Sequence, residues 1–160
     1  MKGLLVVLSL SATALSAQGV TANLRGIKYL KAVTVNLIDG NGTGGCAEAG
    51  ILAKTYGLLA DPIRVETELR LREAGLPPDS GGPSAPVLQV WVTGCPGFVE
   101  VNLLLLELVQ VRGQSIVAVT WQQGGDMFNY ITSEKIRSAI RDQVSALVNQ
   151  WLANNGPTVK

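Results

Sequence analysis

Asp39-Gly40-Asn41-Gly42-Thr43-Gly44 sets side-chain oxygens at alternate positions, as the opening of a calcium-binding loop does. The pattern then breaks. The position for a bidentate Glu holds Gly50, and Glu48 comes two residues early. As a phosphate cradle the stretch lacks both the Gly-Lys-Ser/Thr ending and the spacing of a dinucleotide fingerprint. A plain turn from strand to helix is the expectation, with no metal or cofactor assigned. Glu66, Glu68, Arg70, Arg72 and Glu73 form a charge run whose spacing suits a solvated helix face. Glu100 and Asn102 share one face of a strand and Glu107 takes the other, so no carboxylate pair is fixed for general acid–base work. The chain has no histidine, which removes the commonest general base and metal ligand, and with it any Ser-His-Asp or Cys-His mechanism. No catalytic residue is assigned.

Two cysteines, Cys46 and Cys95, remain. Their chemistry depends on compartment, and the first seventeen residues address that. Met1-Lys2 gives a positive start, residues 4–10 an apolar run, and residues 11–17 small side chains, the three-part layout of a secretory signal peptide. The apolar run falls short of the ~20 residues needed to span a bilayer. No cysteine follows it closely, so a lipid attachment point is missing and no stable membrane anchor is expected after leader removal. In an oxidising compartment Cys46 and Cys95 are expected to form a disulfide. Each follows a strand, and if those strands are parallel both lie at one edge of a sheet.

Charged residues make up 16% of the chain and apolar ones 47%, a globular composition. Losing Lys2 with the leader takes the net charge from +1 to zero. No basic cluster supports nucleic-acid binding, and little charge opposes self-association.

The elements that must position these residues read as β-α-β-β-β-α. Residues 30–38 alternate as a strand. A short helix is expected within 46–59. Asp61 and Pro62 read as N-cap and first residue of a helix reaching Ala74, with Val65, Leu69 and Leu76 at near-helical spacing and Gly75 as terminator. Four prolines make 76–86 a loop. Strands follow at 87–93, 98–111 and 115–121, with 122–130 as loop. Thr132 or Ser133 caps a last helix carrying the stripe Ile136, Ile140, Val144, Leu147 and Trp151. The fold expected is α+β: a two-layer sandwich with a mixed four-stranded sheet and both helices on one face. Residues 18–29 form an exposed lead-in, 30–155 one domain, and 156–160 a tail.

Residues 103–106 are four leucines, so both faces of that strand are apolar while helices cover only one. Trp91, Leu104, Leu106 and Trp121 are the candidate interaction face, unless loops 76–86 or 122–130 cover it.

The leader, the strand 32–38, the run Leu69-Arg70-Leu71-Arg72-Glu73-Ala74-Gly75-Leu76, the three-strand meander and the final helix together resemble a loose group of small exported bacterial α/β domains. The group includes the lipopolysaccharide-assembly lipoprotein, the N-terminal domain of the Tol-system propeller protein, and uncharacterised secreted proteins. The resemblance implies an adaptor or interaction module. It transfers no functional residue, and the missing lipid-carrying cysteine departs from the lipoprotein members. The expectation is an exported (periplasmic or secreted) non-enzymatic binding or assembly module that meets an envelope or secreted protein, or itself. The alternatives are an apolar small-ligand or lipid-binding protein and, last, a histidine-independent carboxylate enzyme.

Overall fold

The computed structural model describes residues 24–40, 50–78, 81–95, 97–127 and 131–156. The leader, Cys46 and most of the Asp39–Gly45 turn lie outside them. Seven elements follow in order: β1 (Ala32–Asp39), α1 (Ile51–Lys54), α2 (Ala60–Glu73), β2 (Val87–Cys95), β3 (Phe98–Val111), β4 (Gln114–Met127) and α3 (Ser133–Asn155). One sheet is ordered β1-β2-β3-β4, with β1 parallel to β2 and the other pairs antiparallel. This is the mixed four-stranded α+β sandwich that the order of elements predicts.

Period-two alternation puts every second side chain on the helix side. Leu88, Val90 and Val92 of β2 pair with Leu105, Leu103 and Val101 of β3, and all six are buried. Val33 beside Leu88 extends that layer into β1. From above, α3 contributes the expected stripe, with Ile136, Ile140, Val144 and Leu147 buried and Trp151 partly buried against them, and Ala139 adds to it. Thr132 caps α3 by accepting a hydrogen bond from the Lys135 amide at 3.2 Å. Gly94 has no side chain because Leu52 of α1 fills its place: a Cβ there would stand 2.3 Å from Leu52 Cδ2.

Helix α2 differs from its sequence reading at one end and matches it at the other. Leu59, in extended conformation, is the N-cap, so Asp61 and Pro62 fall inside the first turn. Proline is tolerated there because the first four amides of a helix have no intrahelical partner. At the far end Gly75 takes φ +84°, its amide bonds Arg72 O at 3.0 Å, and Leu76 bonds Leu71 O at 2.9 Å. That pair of bonds is a Schellman closure. The buried side of α2 is Ile63, Thr67, Glu68 and Leu71, whereas Val65 and Leu69 point to solvent.

Two corrections concern segments expected to be loose. Residues 122–127 continue β4 rather than forming a loop. The described part of the lead-in, 24–29, is not exposed throughout: Arg25, Gly26, Lys28 and Tyr29 are, but Leu24 is buried and Ile27 packs against the core. It is tied to the end of α3, where Trp151 Nε1 donates to Ile27 O at 2.6 Å and Asn155 Nδ2 donates to Leu24 O at 2.7 Å.

Candidate interaction surface

The face of the sheet away from the helices carries the odd-numbered residues of β2 and the even-numbered residues of β3. Val87 pairs with Leu106, Gln89 with Leu104, and Trp91 with Asn102. Trp91, Leu104 and Leu106 thus share this face, as expected, and each is half-buried. Trp91 Nε1 donates to Gln89 Oε1 at 2.8 Å, which lays its ring on the sheet.

Trp121 is not among them. It pairs with Leu105 on the helix side, is 3% exposed, and donates from Nε1 to Gln150 Oε1 on α3 at 2.6 Å. The cause is a β-bulge. Leu106 pairs with Val119 while Leu105 pairs with Trp121, so Thr120 is an extra residue that reverses the alternation. Its hydroxyl points to Leu105 O at 3.4 Å. A second bulge leaves Gly125 extra between the pairs Asn102–Gly124 and Val101–Asp126. There the buried Gln143 of α3 donates from Nε2 to Val101 O at 3.1 Å. Gly124, at φ +137°, lies so close that a Cβ would stand 2.3 Å from Val101 O.

The first bulge also decides what replaces Trp121 on the open face. Val119 stands beside Leu106, and Val117 beside Leu108. The exposures are 52% for Val119, 67% for Val117 and 48% for Leu108. β2 reaches only as far as Leu106, so residues 107–111 of β3 and 114–118 of β4 project beyond it as a two-stranded arm. The arm turns through Arg112 and Gly113, both at positive φ (51° and 80°), a type I′ hairpin. Val111 and Ile116 add further exposed apolar surface on it. A groove of about 560 Å³, lined in part by Lys28, Tyr29, Ser84, Pro86 and Glu107, opens at its root.

The other chemical candidates find structural employment. Asp39 accepts from the Gly50 amide at 2.5 Å and the Leu52 amide at 3.1 Å, one carboxylate oxygen each, which anchors the start of α1. Both oxygens are thereby occupied at the backbone. Within the charge run Glu68 is buried, not solvated, and holds Arg64 at 2.8 Å and Arg72 at 3.4 Å. The hydrogen bond and charge of Glu68 raise the Arg64 pKa above its usual value. Glu66 meets Arg70 at 4.0 Å and Arg141 of α3 at 3.8 Å. Glu100 and Glu107 lie seven residues apart on one strand, about 23 Å, and on opposite faces. Among the described residues no group of three His, Cys, Asp or Glu side chains converges as a metal site. The crevice between α2 and α3, floored by Ile63, Thr67, Ile140 and Val144, encloses about 10 Å³, room for one water at most.

Cys95 ends β2 one residue past Gly94, the parallel partner of Asp39. Cys46, its expected partner, lies outside the described residues.

No protein-family model matches the sequence, and no curated protein matches it. A crystal structure of an uncharacterized protein resembles the fold with a TM-score of 0.42 and 15% identity, over 77% of this chain and 91% of that one.

Proposed function

We propose that this chain is an exported, non-enzymatic binding or assembly module that engages its partner through the uncovered face of the sheet. The observation that carries the reading is the apolar patch Leu104, Leu106, Leu108, Val117 and Val119. Three of its members are about half exposed or more, on a face that neither α2 nor α3 contacts through its buried side chains. The largest contiguous apolar patch on a protein's surface is often an interaction site. The patch is centred nearer the arm than the sequence places it, because Trp121 belongs to the helix layer. Burial of the described lead-in favours a leader that ends upstream of Leu24. The cysteine pairing is part of the proposal: no free cysteine occurs among the described residues, and the parallel register brings the ends of β1 and β2 together. Among the described residues, the crevice between α2 and α3 holds about 10 Å³, far less than the several hundred Å³ an enclosed apolar ligand needs.

The test is photo-crosslinking in an exporting bacterial host, with p-benzoylphenylalanine at position 119. A covalent adduct to a protein, absent when the crosslinker sits at exposed position 65, is expected. Equal labelling from 65 and 119, or none from either, overturns the reading. Mass spectrometry of the same exported protein is expected to find a chain lacking the leader and holding a Cys46–Cys95 bridge; two alkylatable thiols would remove the bridge.

A further inference from the structure

We infer that the occupant of this surface is a second copy of the chain, joined by antiparallel pairing of β4 with its own copy about a two-fold axis at Ala118. The inference rests on the open face being a binding surface and names the partner.

β4 is the last strand of the sheet, hydrogen-bonded on one side to β3. Its other edge presents main-chain donors and acceptors along fourteen residues. Proteins usually block such an edge with charges, proline or a covering element. Residues 114–125 of β4 contain neither charge nor proline. That neutrality suits self-pairing. About a two-fold axis the central residue meets its own copy and each neighbour meets the residue equally far on the other side, so only a charge close to the axis would be brought near its like, and none is present there.

The register follows from the faces. An axis perpendicular to the sheet keeps the open face of one copy continuous with that of the other, so it must pass through a residue and not between two. At Val117 it would set Val119 against Ser115. At Ile116 it would set Val117 against Ser115 and Val119 against Gly113. At Ala118 it sets Val117 of each copy against Val119 of the other. The row Val87–Leu106–Val119 then runs on into Val117 and Leu108 of the second copy, and the reciprocal row runs back. Both exposed patches become one apolar band across an eight-stranded sheet. The interface is on the order of 1,000 Å² in total, at the small end of specific contacts, so the dimer should dissociate on dilution.

The experiment uses the exported, processed chain. Sedimentation velocity is run over a concentration series from below micromolar to hundreds of micromolar, on the wild type and Val119→Lys. Ala118→Cys and Ser115→Cys are then oxidised under mild conditions and the bonds mapped by peptide mass spectrometry. Opposed Cα atoms across antiparallel strands lie about 4.5–5.5 Å apart, within disulfide range. The expected result is a concentration-dependent dimer, weakened tenfold or more by Val119→Lys with an unchanged circular-dichroism spectrum. A 118–118 disulfide should form at several times the yield of a 115–115 one. A chain that stays monomeric throughout, a dimer indifferent to Val119→Lys, or equal crosslinking from 115 and 118 overturns the inference. If the chain is monomeric while position 119 crosslinks to a protein of different mass, the self-pairing falls and the binding module stands. If position 119 captures nothing, both fall.

Discussion

At the scale of single residues, several polar side chains are tied into the fold. Asp39 satisfies two amides at the start of α1, Gln143 satisfies the Val101 carbonyl at a bulge, and Glu68 gathers two arginines along α2. The glycines of the second bulge separate two effects that sequence alone merges. Gly124→Ala is expected to cost about 2–3 kcal/mol or more, since positive φ and a collision with backbone add together. Gly125→Ala meets no atom within 4 Å and should cost about 1–2 kcal/mol, for left-handed backbone only. Urea midpoints of the two variants compared with wild type check the order.

At the scale of elements, a strand with two bulges sets which tryptophan holds the core. Trp121→Ala is expected to cost about 3–5 kcal/mol, the range for deleting a buried aromatic, and Trp91→Ala distinctly less. Acrylamide should quench Trp91 more readily than Trp121, which single-tryptophan variants can show. The arm carries its own test. Arg112 is the one non-glycine at positive φ among the described residues, at a turn position that prefers Asn. Arg112→Asn is expected to raise stability by roughly 0.5 kcal/mol, read as a higher thermal midpoint.

At the scale of the whole molecule, the described part of the lead-in belongs to the domain. Leu24 is 1% exposed, and the segment ties to α3 through Trp151 and Asn155. Starting the chain at Tyr29 removes Leu24 and Ile27 from the core and should cost about 2–4 kcal/mol, visible as a lower denaturation midpoint. Starting it at Gln18 should leave that midpoint unchanged.

The order of elements was legible because it rests on local signals: alternation in β1 and β2, the 3.6-residue stripe of α3, the glycine that closes α2. Half the candidate surface was legible too, since Leu104 and Leu106 must lie opposite the buried Leu103 and Leu105. The other half was not. Counting faces along a strand assumes an unbroken period of two, and one extra residue at Thr120 turns Trp121 inward and Val119 outward. The same limit applies to α2, where apolar residues occupy two sides and only packing against β1 and α3 selects Ile63, Thr67 and Leu71 over Val65 and Leu69. By itself the sequence determined the order and type of the elements, because that choice is made within a few residues, but not that β4 runs on through 122–127, which pairing with β3 decides. The tertiary structure decided which side of each faces the core, because that choice is made by partners distant in the chain.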